Sequence, residues 1–204
     1  MKNGQDRYVS FAELAANEEE GKDFRVRVRT GSSGIVVIAP HGGEIEAGTS
    51  EVADAVAHEE HTFYSFEGMK PHGNRYLHIT STRFDEPLCL RVVREARTTL
   101  VIHGCKGDEA MAYVGGLEVG LRENIEESLL GAGFRVGERP GLMGVSAWNL
   151  CNRTSVGRGA QIELTTALRD AMFESLTRQG RRSTTETFDR FVAAMKEALS
   201  LLRP

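Results

Sequence analysis

Pro40-His41-Gly42-Gly43-Glu44-Ile45-Glu46 sets an imidazole, two glycines and two carboxylates close together, and the apolar run at 35–39 leads directly into them. A second apolar run, at 98–102, ends in His103-Gly104-Cys105. Imidazole nitrogens and carboxylate oxygens are the usual zinc ligands. Two histidines, one carboxylate and an open position make a hydrolytic centre, because the ion acidifies water and polarises a carbonyl. The pattern points to a zinc hydrolase. Spacing alone leaves the carboxylate open: Glu44 stands in His-x-x-Glu relation to His41, Glu46 lies two residues further on, and a loop does not fix which one converges.

Glu163 interrupts a late apolar run at 160–164, where an unpaired carboxylate would be costly to bury. Beside a metal it can take a proton from the attacking water and return it to the leaving amine, so it is the candidate general base. Asn152, Arg153 and Arg158 precede it on an irregular stretch at 137–158. Planar guanidinium groups suit a two-point grip on carboxylates, which makes these residues candidates for holding an anionic substrate. Lys106 and Arg83 are weaker candidates of the same kind. His58-Glu59-Glu60-His61 lacks the HExxH pattern. These two histidines, with His72 and His78, read as solvated or internally satisfied. Cys105 has no separate base and orienting partner and reads as a packed cysteine beside the site.

Buried strands ending in histidine must be the elements that position this chemistry. The run at 35–39 follows a Gly-Ser-Ser-Gly turn, and Thr49 or Ser50 can cap a helix at 51–59. Phe24-Arg25-Val26-Arg27-Val28-Arg29 alternates apolar and basic residues, as a charge-protected edge strand does. Ser10 opens a short helix. Strands are expected at 62–66, 76–80 and 134–136, and helices at 86–96 and 118–132. Ser183-Thr184-Thr185-Glu186 has the form of a capping box ahead of a closing helix. Alternating strands and helices predict a three-layer α/β sandwich, whose ligands gather at the carboxyl ends of its strands, where His41 and His103 fall.

The 204 residues suit one hydrolase domain over 1–204, with a net charge of −4 that carries no electrostatic footprint for nucleic acid. Cys89, Cys105 and Cys151 are odd in number and form no CxxC pair, which argues against a disulfide framework. Neither a signal peptide nor a membrane-length apolar stretch is apparent, so the expected site of synthesis and folding is the cytoplasm, with no membrane partner.

The first block from Ala39 to Glu51, Val101-Ile102-His103-Gly104, and Cys151-Asn152-Arg153 ahead of Gln161-Ile162-Glu163 together resemble the phage-associated poly-γ-glutamate hydrolase family. The likeness runs from about Tyr8 to the last helix. It implies a zinc carboxypeptidase-like fold with a mixed, mainly parallel central sheet, Zn2+ as cofactor, and hydrolysis of the γ-linked amide of poly-γ-glutamate. The family's block has a variable residue after the two glycines, so the resemblance assigns the ligand to Glu46, with Glu44 as the alternative. His41 and His103 then match its histidine ligands and Glu163 its late-strand base. Asn152-Arg153 resembles the carboxylate-binding pair of carboxypeptidases, but here it follows the second histidine instead of preceding it. A phage or prophage enzyme that opens a polyglutamate capsule after lysis is the implied biology. A zinc amidase or deacylase acting on another small acidic or acylated amide is the competing reading.

Overall fold

The computed structural model describes residues 6–202. Seven strands form one sheet: β1 (Phe24–Arg29), β2 (Ile35–Gly43), β3 (Thr62–Gly68), β4 (Thr98–Cys105), β5 (Ala112–Gly116), β6 (Val136–Gly137) and β7 (Ala160–Thr165). Their spatial order is β1-β3-β2-β4-β7-β5-β6. The pairs β2–β3, β2–β4, β4–β7 and β5–β6 are parallel, whereas β1–β3 and β5–β7 are antiparallel. The sheet is therefore mixed and mainly parallel, as expected. Among the described residues the α-helices are α1 (Phe11–Ala15), α2 (Thr49–Ala57), α3 (Pro87–Glu95), α4 (Val119–Gly131), α5 (Thr166–Ala171) and α6 (Glu186–Ser200).

Alternate residues of the central strands face two separate cores. Val37, Leu100 and Ile102 pack with α2, α4 and α6 residues on one face, while Val36, Ile38 and Val101 pack with Leu14, Phe84 and Val93 on the other. This double covering makes the central strands continuously apolar and completes the three-layer sandwich. β1 lies at the sheet edge, and its arginines are taken up by carboxylates, Arg27 and Arg29 by Asp54 of α2 and Arg25 by Glu67 of β3, while Val28 between them is exposed.

Local chemistry explains where the elements start. Ser10 caps α1 by accepting from the Glu13 amide. The Glu86 carboxylate caps α3 by accepting from the Leu88 and Cys89 amides. The cap of α2 is neither Thr49 nor Ser50 but Gly48, at φ +96°, a left-handed conformation that glycine adopts without penalty. Thr185 precedes α6 without a side-chain capping bond, so the expected box is not formed. The strand expected at 76–80 is a 3-10 turn at Asn74–Leu77, because Asn74 bonds both the amide and the carbonyl of Lys70 and closes a local loop. Among the described residues no helix is long and apolar enough to cross a membrane.

Candidate metal centre and catalytic cavity

β2, β4 and β7 lie side by side, and their carboxyl ends deliver His41, His103 and Glu163 to one place. His103 and Glu163 are register partners across β4 and β7, so their side chains leave the same face of the sheet. His41 reaches that face through a bulge. Strict alternation from Ile38 would send it to the opposite side, but the β2–β3 register shifts between Ala39 and Gly42 and re-aims it. The glycines that follow serve this shift. A Cβ on Gly42 would sit 2.5 Å from Ser65 Oγ, and one on Gly43, at φ +62°, would meet the Gly68 carbonyl. Their missing side chains therefore admit β3.

The turn after β2 brings Glu46 back over the strand ends. Its amide donates to the His41 carbonyl at 2.9 Å, and its Oε2 accepts from the Gly104 amide at 2.8 Å. His41 Nδ1 lies 3.3 Å from Glu46 Oε2, His103 Nδ1 lies 3.7 Å from the same oxygen, and the two Nδ1 atoms are 3.2 Å apart. The opposite edge of each ring is anchored. His41 Nε2 contacts the Ile79 carbonyl at 2.9 Å, and because a carbonyl only accepts, this nitrogen carries the proton and Nδ1 keeps its lone pair in the neutral ring. His103 Nε2 contacts Ser81 Oγ at 3.0 Å.

His78 completes the cluster from the other side. Its ring stacks on His41 with centroids 4.0 Å apart, Nδ1 donates to Asp6 at 2.7 Å, and Nε2 lies 3.9 Å from Glu46 Oε1. His41, Glu46 and His78 can also offer three ligand atoms within 4.8 Å of one another. The sequence reading had set His78 aside. The strand expected at 76–80 is absent, and His78 instead arrives just past the 3-10 turn on the connection between β3 and α3.

Burial shapes the electrostatics. It opposes charge on Glu46, yet His41 and His103 hold that carboxyl well below the usual range. It also opposes charge on His103, but contact with Glu46 and the charge of Glu163 raise the ring's pKa overall. His78 is pushed down to about 3 by burial and by His41, against Glu46 and Asp6. Burial pushes Glu163 up, with Glu46 adding to the effect and His103, His41 and Arg139 opposing it. A carboxylate so shifted binds a proton more readily than an ordinary one.

These groups open into a cavity of about 1230 Å³ whose wall also carries Arg75, Lys106, Arg139 and Arg169. Arg139 donates to the Lys106 carbonyl at 3.1 Å and lies over the Tyr113 ring. Asn152 and Arg153 are elsewhere. Asn152 accepts from the Leu117 and Gly159 amides and donates to the Gly144 and Ser146 carbonyls. Arg153 donates to the carbonyls of Trp148, Phe84, Ser81 and Thr82. Arg158 pairs with Glu118 at 2.5 Å. Glu44 turns from the histidines to Arg181 at 2.5 Å and Arg178 at 3.4 Å. Arg83 pairs with Asp6 at 2.8 Å, and Cys105 is a half-buried free thiol on the cavity wall.

The donor set suits zinc, which takes neutral imidazole and carboxylate ligands in a tetrahedral arrangement. With bonds of about 2.0–2.1 Å, neighbouring ligand atoms of such a site are about 3.3 Å apart. The His41–Glu46–His103 triangle, at 3.2, 3.3 and 3.7 Å, comes close to that spacing.

Known proteins agree with this architecture. The family model described as poly-gamma-glutamate hydrolase matches residues 8–194. YmaC of Bacillus subtilis (strain 168) is 35% identical over 97% of this chain and 85% of its own length, and the SPbeta prophage-derived YoqZ of the same organism is 33% identical over 96% of the chain. A bacteriophage poly-gamma-glutamate hydrolase superposes with a TM-score of 0.94 at 30% identity, covering 96% of this chain and 97% of its own. The zinc-free apo form of YndL superposes at 0.92 and 35% identity, covering 97% and 98%. Sequence and fold coincide over nearly the whole chain, and the chain belongs to the poly-gamma-glutamate hydrolase family.

Proposed function

We propose that this chain is a zinc-dependent hydrolase of the γ-glutamyl amide bonds of poly-γ-glutamate, acting as one domain, with the ion held by His41, Glu46 and His103 and with Glu163 as general base. The observation that carries this reading is the convergence of three ligand atoms at tetrahedral spacing beside a buried carboxylate. Three lone-pair donors so close repel one another unless a cation or a shared proton lies among them. When bound, zinc supplies a Lewis acid that polarises the amide carbonyl and makes water more acidic.

Glu163 stands beside His103 at the end of β7 and takes the proton of the attacking water, then returns it to the leaving nitrogen. Asp6 holds His78 so that Nε2 faces the reacting centre and keeps it fixed against His41. Each residue of a γ-linked glutamate chain carries a free α-carboxylate. Arg75, Lys106 and Arg139 supply cations on the cavity wall to hold those groups, in place of Asn152, Arg153 and Arg158. At about 1230 Å³ the cavity exceeds the roughly 300–1,000 Å³ usual for small ligands, which favours a polymer over another small acidic amide. The phage and prophage relatives support opening of a polyglutamate capsule as the setting.

The test combines zinc content of the purified protein with size analysis of poly-γ-glutamate after incubation, for wild type and Glu163→Gln. About one zinc per chain in both proteins, with shortening by wild type alone, is the expected result. Zinc without shortening rejects the substrate, and shortening by metal-free protein rejects the mechanism.

A further inference from the structure

Arg169 lines the catalytic cavity but belongs to α5, the short helix that begins directly after β7. Its guanidinium is buried among backbone carbonyls. Nε donates to Leu164 at 3.2 Å, one terminal nitrogen to Ala47 at 2.6 Å, and the other to Cys105 at 3.3 Å. These carbonyls belong to different segments. Leu164 follows Glu163, Ala47 follows Glu46, and Cys105 comes two residues after His103.

Gly104 provides the seat for this group. A Cβ there would come 2.8 Å from Arg169 Cζ and 3.0 Å from Glu46 Cβ, so any side chain would push the guanidinium and the Glu46 turn apart. The Gly104 amide is also the donor that holds Glu46 Oε2, at 2.8 Å. Only a planar group with several divergent N–H bonds can reach three carbonyls set around it, and a lysine ammonium, as a single point, cannot. Burial lowers the guanidinium pKa, against the charges of Glu46, Cys105 and Glu163, but arginine stays charged at any working pH.

We infer that Arg169 is a positioning residue that fixes the segments bearing Glu46, His103 and Glu163 relative to one another, with Gly104 as its obligatory seat. This rests on the metal reading above for its effect on activity, but not for its effect on the loops. Partners that orient metal ligands typically change metal affinity or activity by about 10- to 100-fold when removed.

The test uses Arg169→Lys, Arg169→Met and Gly104→Ala in the full chain, each checked for native circular dichroism. Zinc affinity is measured by chelator competition, kcat and KM on poly-γ-glutamate, and backbone hydrogen exchange on the zinc-free proteins. Expected are a 10- to 100-fold weaker zinc affinity, a matching fall in kcat with KM within about twofold, and faster exchange at 44–48 and 103–107 but not in α6. Partial recovery of Arg169→Met activity by added guanidinium would identify the missing fork directly. If Arg169→Met fails to fold, Arg169→Lys and Gly104→Ala carry the same readouts. Wild-type exchange and wild-type zinc affinity in Arg169→Lys overturn the inference. A wild-type protein that takes up no zinc rejects the metal reading instead, and the exchange data then decide the role of Arg169 alone: faster exchange upholds it and unchanged exchange overturns it.

Discussion

Two charged cavities meet at Glu44, which lies in the wall of both. The one beside β1, of about 680 Å³, is crowded with arginines, most of them already paired with carboxylates. Arg27 and Arg29 hold Asp54 at 2.7 and 2.5 Å, Arg25 holds Glu67 at 2.6 Å, and Arg181 holds Glu51 at 2.7 Å as well as Glu44. The other gathers His41 Nδ1, His103 Nδ1 and Glu46 Oε2 around a common point. Charge density is similar to the eye, but the chemistry is opposite. In the first cavity permanent charges pair off and tie the edge strand to α2, whereas in the second three ligand atoms from separate segments converge on one point. Density of charge marks structure as readily as function; convergence of like ligands is the better guide to a site.

The contrast breaks most sharply on ligand removal. His41→Ala is expected to abolish stoichiometric zinc binding and bring hydrolysis of poly-γ-glutamate to background, and a strong chelator should do the same to wild type, reversibly on adding zinc. Metal analysis and a chain-length assay check both. Next in size, Glu163→Gln is expected to lower kcat by about 10²- to 10⁴-fold while zinc content stays at the wild-type level. Loss of zinc together with activity would make Glu163 a ligand and not a base. Arg139→Ala should raise KM by about 10-fold or more with a smaller change in kcat, as steady-state kinetics on the polymer would reveal, since a charge-assisted bond to carboxylate contributes about 1.5–3 kcal/mol.

The smallest effect belongs to the first cavity and to stability alone. Asp54→Asn removes the shared partner of Arg27 and Arg29 and should cost about 1–2 kcal/mol, a fall of several degrees in Tm, with kcat and KM unchanged. The sign of the pH dependence follows from Asp54, on which burial works upward but Arg29 and Arg27 prevail and lower the pKa. A carboxylate depressed in the folded state stabilises it above the unfolded pKa of about 3.9. That contribution is lost as pH falls below this value through the folded pKa. The difference in Tm between wild type and Asp54→Asn should therefore shrink in acid below about pH 4, and a difference that grows there would contradict the pairing.

Much of this arrangement was legible in the residues, for identifiable reasons. The central strands β2, β4 and β7 are covered on both faces, so they appear as unbroken apolar runs, and the polar residue that ends or interrupts each one stands out. β5 escaped notice because Ala112–Gly116 is short, ends in two glycines and takes its place only by pairing with β7. His78 and Asp6 join the centre from irregular backbone, and the apolar alternation at 76–80 that suggests a strand does not show that a 3-10 turn there aims His78 at the centre. Arg153 looked available for substrate because a sequence does not show loop carbonyls, and four of them take up its guanidinium. Arg139 and Arg169 carried no signal, since surface and buried arginines look alike before the chain is folded.

In the proposed centre His41, Glu46 and His103 hold the ion while His78 stands beside them. Anomalous diffraction at the zinc edge from a crystal of the zinc-loaded protein tests this arrangement most directly. A single peak is expected about 2.0–2.1 Å from His41 Nδ1, His103 Nδ1 and a Glu46 oxygen. A peak bonded to His78 in place of His103, or no peak in protein that cleaves the polymer, would contradict it.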